Sequence, residues 1–164
     1  MGSYLKYIGA AAIAFAAVML GRLYRGYVMA ARAEEEGMLG LLLHIKGQVG
    51  CYLSYGDGLV RGFRCAALSD CGFLEALADG RAFSEAFELC EEKMYSSEAV
   101  KEIMLDFCNN FGKGYRDAEM SRLSDVCERL RRAVEKSIAE QEKNLRVART
   151  LIAAAALGII ILLI

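Results

Sequence analysis

Residues 117–158 read DAEMSRLSDVCERLRRAVEKSIAEQEKNLRVARTLIAAAALG, and this stretch decides the fold. It contains no proline, and no glycine before Gly158, so it carries no signal that ends a helix. Its mostly apolar side chains recur every three or four residues, the spacing of one helical face: Leu123, Cys127, Leu130, Val134, Ile138, Gln141, Leu145 and Ala148. The sequence therefore predicts one helix from Asp117 to Arg149, about 50 Å long, that continues into the uncharged tail.

An amphipathic helix is predicted to begin at Ala33. The acidic residues 34–36 lie in its first turn, where the helix dipole favours carboxylates. The residues predicted to face inward are Leu39, Leu42, Leu43, Ile45, Val49 and Leu53. Several glycines weaken this helix, so we expect tertiary packing to stabilise it. Glycine and aspartate end it in a turn over residues 55–58.

Four shorter helices are predicted between residues 59 and 114. Two cover residues 59–68 and 72–78, and a third covers residues 83–94 with Phe83, Phe87, Leu89 and Cys90 inward. The fourth is capped by Ser96 or Ser97 and carries one apolar stripe, made of Val100, Ile103, Met104, Phe107, Cys108 and Phe111. It stops at a structural turn motif in which glycine permits a left-handed cap: Phe111, Gly112, Gly114 and Asp117.

The composition favours an all-α protein without an active site. The 164 residues include no proline and no tryptophan, and they lack the alternating β-branched runs that predict strands. The formal net charge of -1 argues against a nucleic-acid partner, because proteins that bind nucleic acid usually carry an excess of basic residues. Phosphate-binding loops, nucleophile elbows and His-Glu-x-x-His motifs are absent from the sequence. We therefore predict no catalytic residue, no cofactor and no metal, and no enzyme activity.

Both ends of the chain are predicted to cross a membrane. The first apolar segment, residues 7–21, is short against the roughly 20 residues that a span needs, but flanking basic side chains extend it by snorkelling. We predict a first transmembrane helix over residues 4–23 and a second over residues 150–164. A helical bundle over residues 24–149 lies between them.

Basic residues beside the two spans predict their orientation. The inner flanks carry Arg22, Arg25, Arg32, Lys143, Arg146 and Arg149. The outer flanks offer only Lys6 and the amino terminus. Because cytoplasmic flanks are enriched in basic residues, the bundle is predicted to be cytoplasmic and both termini to face outward.

A secretory signal peptide is the alternative interpretation of the first segment. Lys6 then forms the basic region, residues 8–20 form the apolar core, and Val28-Met29-Ala30 resembles a cleavage site. Two arginines stand between that core and that site, and such charges disfavour cleavage there.

Six cysteines are predicted to be reduced thiols in a reducing compartment, mostly buried: Cys51, Cys65, Cys71, Cys90, Cys108 and Cys127. They lack the C-x-x-C spacing of zinc sites, and the single histidine, His44, has no second imidazole beside it. We expect His44 to pack beside the apolar stripe of its helix. Cys71, which follows Asp70, is the best-placed candidate nucleophile, although no base is identifiable.

Charge clusters are the candidate docking residues for a partner. One cluster is Arg129, Arg131 and Arg132, and another is Glu91 with Glu92. Residues 34–36 form a third cluster, which is also acidic. Each cluster has two interpretations, a solvated helix face with pairs four residues apart or a docking surface, and the sequence does not separate them.

Several short motifs, in this order and spacing, resemble those of the stage III sporulation protein AB family of endospore-forming bacteria. The resemblance covers nearly the whole chain and is carried by Lys6-Tyr7-Ile8-Gly9-Ala10 with Gly21, Leu39 to Ile45 through Val49 to Tyr55-Gly56, Phe111-Gly112-Lys113-Gly114, and Lys143-Asn144-Leu145 before Gly158.

The resemblance implies a cytoplasmic helical bundle similar to the platform protein F of type II secretion and type IV pilus machines. It also implies a place in the mother-cell membrane, in the channel complex that links mother cell and forespore. The expected partners are membrane lipid, a secretion-type ATPase and other membrane subunits, with a homo-oligomer left open. We therefore expect a non-catalytic platform subunit. A membrane-tethered thiol enzyme and an exported helical protein remain the alternatives.

Overall fold

The computed structural model describes residues 2–52 and 59–163, and every regular element in these ranges is a helix. The elements are α1 (Gly2–Tyr52), α2 (Ala66–Asp70), α3 (Phe73–Ala78), α4 (Phe83–Glu91), α5 (Glu98–Asn110) and α6 (Arg116–Leu163). The all-α prediction is confirmed. The turn predicted at residues 55–58 and the inward position of Leu53 lie outside the described residues.

The two longest helices carry the apolar ends of the chain. Helix α6 is continuous over 48 residues, which confirms the predicted run into the apolar tail. Helix α1 is continuous over 51 residues, so the first apolar segment and the amphipathic helix predicted from Ala33 are a single element. Residues 22–33 contain good helix formers and one glycine, Gly26, which is too little to end a helix with strong patterns on both sides.

The prediction of a helix over residues 59–68 is wrong for most of that range. Residues 59–65 form bends and a turn, in which the Phe63 amide donates to the Val60 carbonyl at 3.1 Å. Gly62 has φ of 90°, a left-handed value that an α-helix does not accommodate. Helix α2 therefore begins only at Ala66.

Two leucines predicted to face inward are exposed. Leu43 is 42% exposed and Leu89 is 53% exposed, whereas their neighbours Leu42 and Cys90 are buried. Consecutive residues of a helix point about 100° apart. Leu43 therefore points about 200° away from the buried Leu41, and Leu89 about 200° away from the buried Phe87, which places both leucines beyond the inward stripe. The buried stripe of α1 instead has regular helical spacing, with Ala31, Met38, Leu41, Leu42, Ile45 and Val49.

Residues 30–137 form one compact helical unit. Three phenylalanines at its centre, Phe73, Phe87 and Phe107, are fully buried, and burial of each stabilises the fold by about 1.5–3 kcal/mol. The Phe73 and Phe87 rings meet edge to face at 5.9 Å. The predicted stripe of α6 is confirmed in this unit, with Leu123, Cys127, Leu130 and Val134 buried.

Residues 2–29 and 138–163 belong to a second compact unit, described by itself. Within the described part of the chain, two helices are long and apolar enough to cross a membrane. Their mean hydropathy is 1.4 and 1.6, and their most apolar windows are not buried. Large apolar side chains are exposed on both segments of this unit, among them Ile8, Phe15, Val18, Leu20, Leu23, Leu151, Leu157, Ile159 and Ile161. Such a surface is suited to lipid.

Candidate docking surfaces

Two of the three arginines in the α6 cluster contact carboxylates. Arg129 Nη1 lies 3.5 Å from Asp106 Oδ2 on α5. Arg132 approaches Glu128 Oε1 with Nε at 3.1 Å and Nη2 at 3.0 Å, a pair four residues apart on the helix. Arg131 is exposed, and among the described residues no ion pair joins it to a carboxylate. Two guanidinium groups of the cluster are therefore oriented by carboxylates, and that of Arg131 is not.

The acidic candidates Glu91 and Glu92 lie at the end of α4, where Glu91 is half-buried and Glu92 is exposed. The structure does not pair them with the arginine cluster in the described part of the chain. Glu85, Glu88 and Leu89 are exposed on the same helix; the two glutamates were not singled out from the sequence, which placed Leu89 inward. Their spacing of three and four residues was the available signal. The α4 face is therefore acidic around an exposed leucine.

Glu34 and Glu35 are buried and are not a docking surface. They lie in the interior of α1 and accept hydrogen bonds from the backbone that leads into α5. Glu34 Oε2 accepts from the amides of Tyr95 at 2.7 Å and Ser96 at 2.9 Å. Glu35 Oε1 accepts from the Ser97 amide at 2.9 Å. These carboxylates therefore stabilise the N-terminal end of α5 rather than the first turn of their own helix.

The environment of Glu34 raises the pKa of its carboxyl above the ordinary value of 4.5. Burial is the largest cause, because it penalises the charged form. The two backbone hydrogen bonds and the charge of Lys101 act in the opposite direction and only partly offset it. Glu36, by contrast, is exposed and pairs with Arg32 at 3.0 Å.

The connection between α5 and α6 contains the predicted turn residues. Gly112 has φ of 82°, and the Phe111 ring packs against Phe107 at 4.9 Å. The Gly114 amide donates to Glu119 Oε1 at 2.9 Å. Asp117 is exposed in the first turn of α6. Glu119 is buried and was not singled out from the sequence, where it looks like any other acidic residue at a helix start.

The five cysteines whose side chains are described are free thiols, and the side chain of Cys51 lies outside the described part. Burial raises the pKa of Cys71 to about 11 and that of Cys108 to about 12. The Cys71 thiol donates to the Leu68 carbonyl at 3.3 Å. Because a nucleophile needs the thiolate, this environment disfavours Cys71 as a catalytic group.

His44 packs against Phe63, with ring centroids 5.5 Å apart, as expected for a histidine beside the apolar stripe. Over residues 2–52 and 59–163, no group of three His, Cys, Asp or Glu side chains has the arrangement of a metal site.

A comparison with protein families matches residues 75–164, more than half of the chain, to "Stage III sporulation protein AB". Neither a search of curated proteins nor a search of solved structures found a match. The family match, the all-helical fold and the two candidate spans agree with a membrane protein of sporulation. The chain belongs to the stage III sporulation protein AB family.

Proposed function

We propose that this chain is a non-catalytic platform subunit of a sporulation channel complex, similar to secretion machines, and that it docks a cytoplasmic secretion-type ATPase. Membership of the stage III sporulation protein AB family supports the link to sporulation. A helical unit with charged faces, on a chain whose two ends are apolar, supports a scaffold role. Its other partners are membrane lipid, further membrane subunits of the complex and, as an open option, a second copy of the chain.

The proposed topology has two membrane spans and a cytoplasmic helical unit, in the mother-cell membrane. Two apolar helices and the basic residues on their inner flanks support it. In this topology the unit of residues 30–137 is accessible to a cytoplasmic ATPase.

The observation that best supports a docking site is the arrangement of the α6 arginines. Asp106 orients Arg129 and Glu128 orients Arg132, while Arg131, next to Arg132 in the sequence, is exposed. Oriented arginines lose less conformational freedom on binding, and exposed guanidinium groups recognise carboxylates on a partner. We therefore assign ATPase docking to these exposed arginines of α6, with an acidic surface as their counterpart.

The test is co-purification of the tagged full-length chain, in detergent, with the secretion-type ATPase of the same complex. The variant Arg131→Glu is expected to weaken binding about tenfold, because it replaces an attractive charge by a repulsive one. Lys113→Glu makes the same change of charge at an exposed residue of the α5–α6 connection and is expected to change binding less than about twofold.

Two results would contradict the assignment of ATPase docking to the α6 arginines. One is failure of the unmodified chain to retain the ATPase. The other is equal loss of binding in Arg131→Glu and Lys113→Glu, which would indicate a general charge effect. ATP hydrolysis by the purified chain alone would contradict the non-catalytic assignment.

A further inference from the structure

A small cleft of about 200 Å³ opens between the two segments of the second compact unit, residues 2–29 and 138–163. Its lining residues come from both helices and are Val18, Gly21, Arg22, Tyr24 and Arg25 on α1, and Leu145, Arg149 and Ile152 on α6. Three arginines from two helices therefore line one concave site.

The charges of these arginines are not balanced by acidic residues. The sequence contains no Asp or Glu over residues 2–33 or over residues 143–163. Arg22, Arg25 and Arg149 are exposed, and no ion pair joins them to a carboxylate in the described part of the chain. Arg129 and Arg132 of the helical unit, by contrast, each contact a carboxylate. The cleft thus has an excess of positive charge that an anionic ligand would neutralise.

One wall of the cleft is apolar and lies toward the lipid-facing part of the unit. Val18 and Ile152 line it, and Leu20, two residues after Val18, and Leu151, next to Ile152, are exposed. The arginines lie where the apolar segments give way to charged sequence. A matching ligand is therefore amphipathic, with an anionic group next to hydrocarbon.

Gly21 leaves room for that ligand. A Cβ atom at this position would meet no other atom within 4 Å, so the space beside it is open. Guanidinium groups bind phosphate through paired hydrogen bonds, and basic pockets between membrane helices on the cytoplasmic side bind phospholipid headgroups.

We propose that this cleft binds the phosphate of an anionic phospholipid, with Arg22, Arg25 and Arg149 around the phosphate oxygens and the acyl chains along Val18 and Ile152. Zwitterionic phosphatidylcholine is disfavoured because its ammonium group would lie among three cations. The inference rests on insertion of the two segments in a membrane, which the proposed function also requires, and not on any protein partner.

The test is native mass spectrometry of the detergent-solubilised full-length chain, titrated with phosphatidylglycerol or phosphatidylcholine of the same acyl chains. Phosphatidylglycerol is expected to bind at least about tenfold more tightly. Glycerol phosphate, which has the headgroup without acyl chains, serves as the soluble competitor. It is expected to displace little lipid, because it makes no contact with the apolar wall.

Two variants with a matched control locate the site. Arg149→Gln is expected to weaken phosphatidylglycerol binding about tenfold, whereas Arg146→Gln, with the same loss of charge on the same helix, is expected to change it less than about twofold. Arg146 lies outside the lining of this cleft. Gly21→Leu fills the cleft without changing charge and is expected to reduce binding as much as Arg149→Gln does.

Circular dichroism at matched concentration verifies that each variant keeps its helix content. Equal binding of the two lipids, equal effects of Arg146→Gln and Arg149→Gln, or unchanged binding by Gly21→Leu would overturn the inference. Displacement by glycerol phosphate at lipid-like affinity would show a site for soluble phosphate and would also overturn it. None of these results bears on ATPase docking, because docking is measured separately, by co-purification with the ATPase.

Discussion

The Ser137 hydroxyl donates a hydrogen bond of 2.8 Å to Glu35 Oε1, and so links α6 to α1 across 102 residues of sequence. Both residues are buried, and the same carboxylate oxygen also accepts a hydrogen bond from the Ser97 amide at the start of α5. Three helices therefore meet at one oxygen atom. A carboxylate in this position fixes how α1, α5 and α6 pack within the helical unit.

Removing the Ser137 hydroxyl is expected to destabilise this unit. Ser137→Ala removes one buried bond to a charged acceptor and is expected to lower the free energy of unfolding by about 1–2 kcal/mol. Glu35→Ala is expected to cost more, because it leaves both the Ser97 amide and the Ser137 hydroxyl without this acceptor. Thermal unfolding of the detergent-solubilised chain, followed by circular dichroism, measures both effects.

Ser124→Ala is the matched control on the same helix. The Ser124 hydroxyl is exposed and donates only to the Met120 carbonyl of α6. We expect a change below about 0.5 kcal/mol. If Ser137→Ala is as mild as Ser124→Ala, the bond to Glu35 does not stabilise the fold.

Glu34→Gln is expected to change how stability depends on pH. The folded-state pKa of Glu34 lies above its ordinary value of 4.5, so between these two values the folded chain holds a proton that the unfolded chain has lost. The Glu34 contribution therefore lowers the free energy of unfolding as pH rises through this window. Glutamine does not titrate, and its carbonyl oxygen can still accept from Tyr95 and Ser96.

Chemical denaturation at a series of pH values measures this effect. The stability of Glu34→Gln relative to the unmodified chain is expected to increase as pH rises from 4.5, and to level off above the folded-state pKa. A difference that stays constant with pH would mean that burial of Glu34 does not shift its titration.

Two glycine-to-alanine substitutions in α1 are expected to have opposite signs. A Cβ on Gly37 would lie 2.6 Å from Cys65 Sγ, so Gly37→Ala is expected to destabilise the fold by about 1–3 kcal/mol. A Cβ on Gly47 meets nothing within 4 Å, so Gly47→Ala is expected to stabilise it by about 0.5–1 kcal/mol. Thermal unfolding compares the two, and equal shifts would contradict the close packing of α1 at Gly37.

The thiols are expected to differ in reactivity toward iodoacetamide. Cys65 is half-buried, whereas Cys71 and Cys108 are buried with pKa values of about 11 and about 12. Since alkylation requires an accessible thiolate, Cys65 is expected to be labelled first at pH 8 and the other two more than about tenfold more slowly. Peptide mass spectrometry measures each site, and labelling in denaturant serves as the control.

Rapid labelling of Cys71 in the folded chain would contradict this expectation. It would also restore the thiol-enzyme alternative, because a reactive thiolate at that position is the first requirement of such an enzyme.

The sequence was sufficient to predict a helix and its buried face where one helical pattern ran without interruption. Helix α6 and its stripe through Leu123, Leu130 and Val134 followed from spacing alone, because that spacing encodes which face is buried. The joining of two segments into α1 was missed, because a change from apolar to charged composition was taken as the end of an element.

The roles of the acidic residues were the least predictable part. Glu34 and Glu35 resemble an ordinary first-turn run, but the amides that they accept from lie 61 and 62 residues further along the chain. No local pattern encodes a partner at that separation. Conversely, the exposure of Arg131 was predictable from the sequence, because a cluster of charged residues on a helix is a local feature.

The proposed topology, in which apolar segments hold the helical unit at the cytoplasmic side of a membrane, is tested most directly by protease protection. Trypsin is added to sealed protoplasts and, in parallel, to inverted membrane vesicles, and cleavage near the exposed Lys113 is followed. The account predicts that the full-length chain stays with the membrane, is protected in protoplasts and is cleaved in inverted vesicles. Cleavage of the helical unit in sealed protoplasts, or recovery of the intact chain in the soluble fraction, would contradict it.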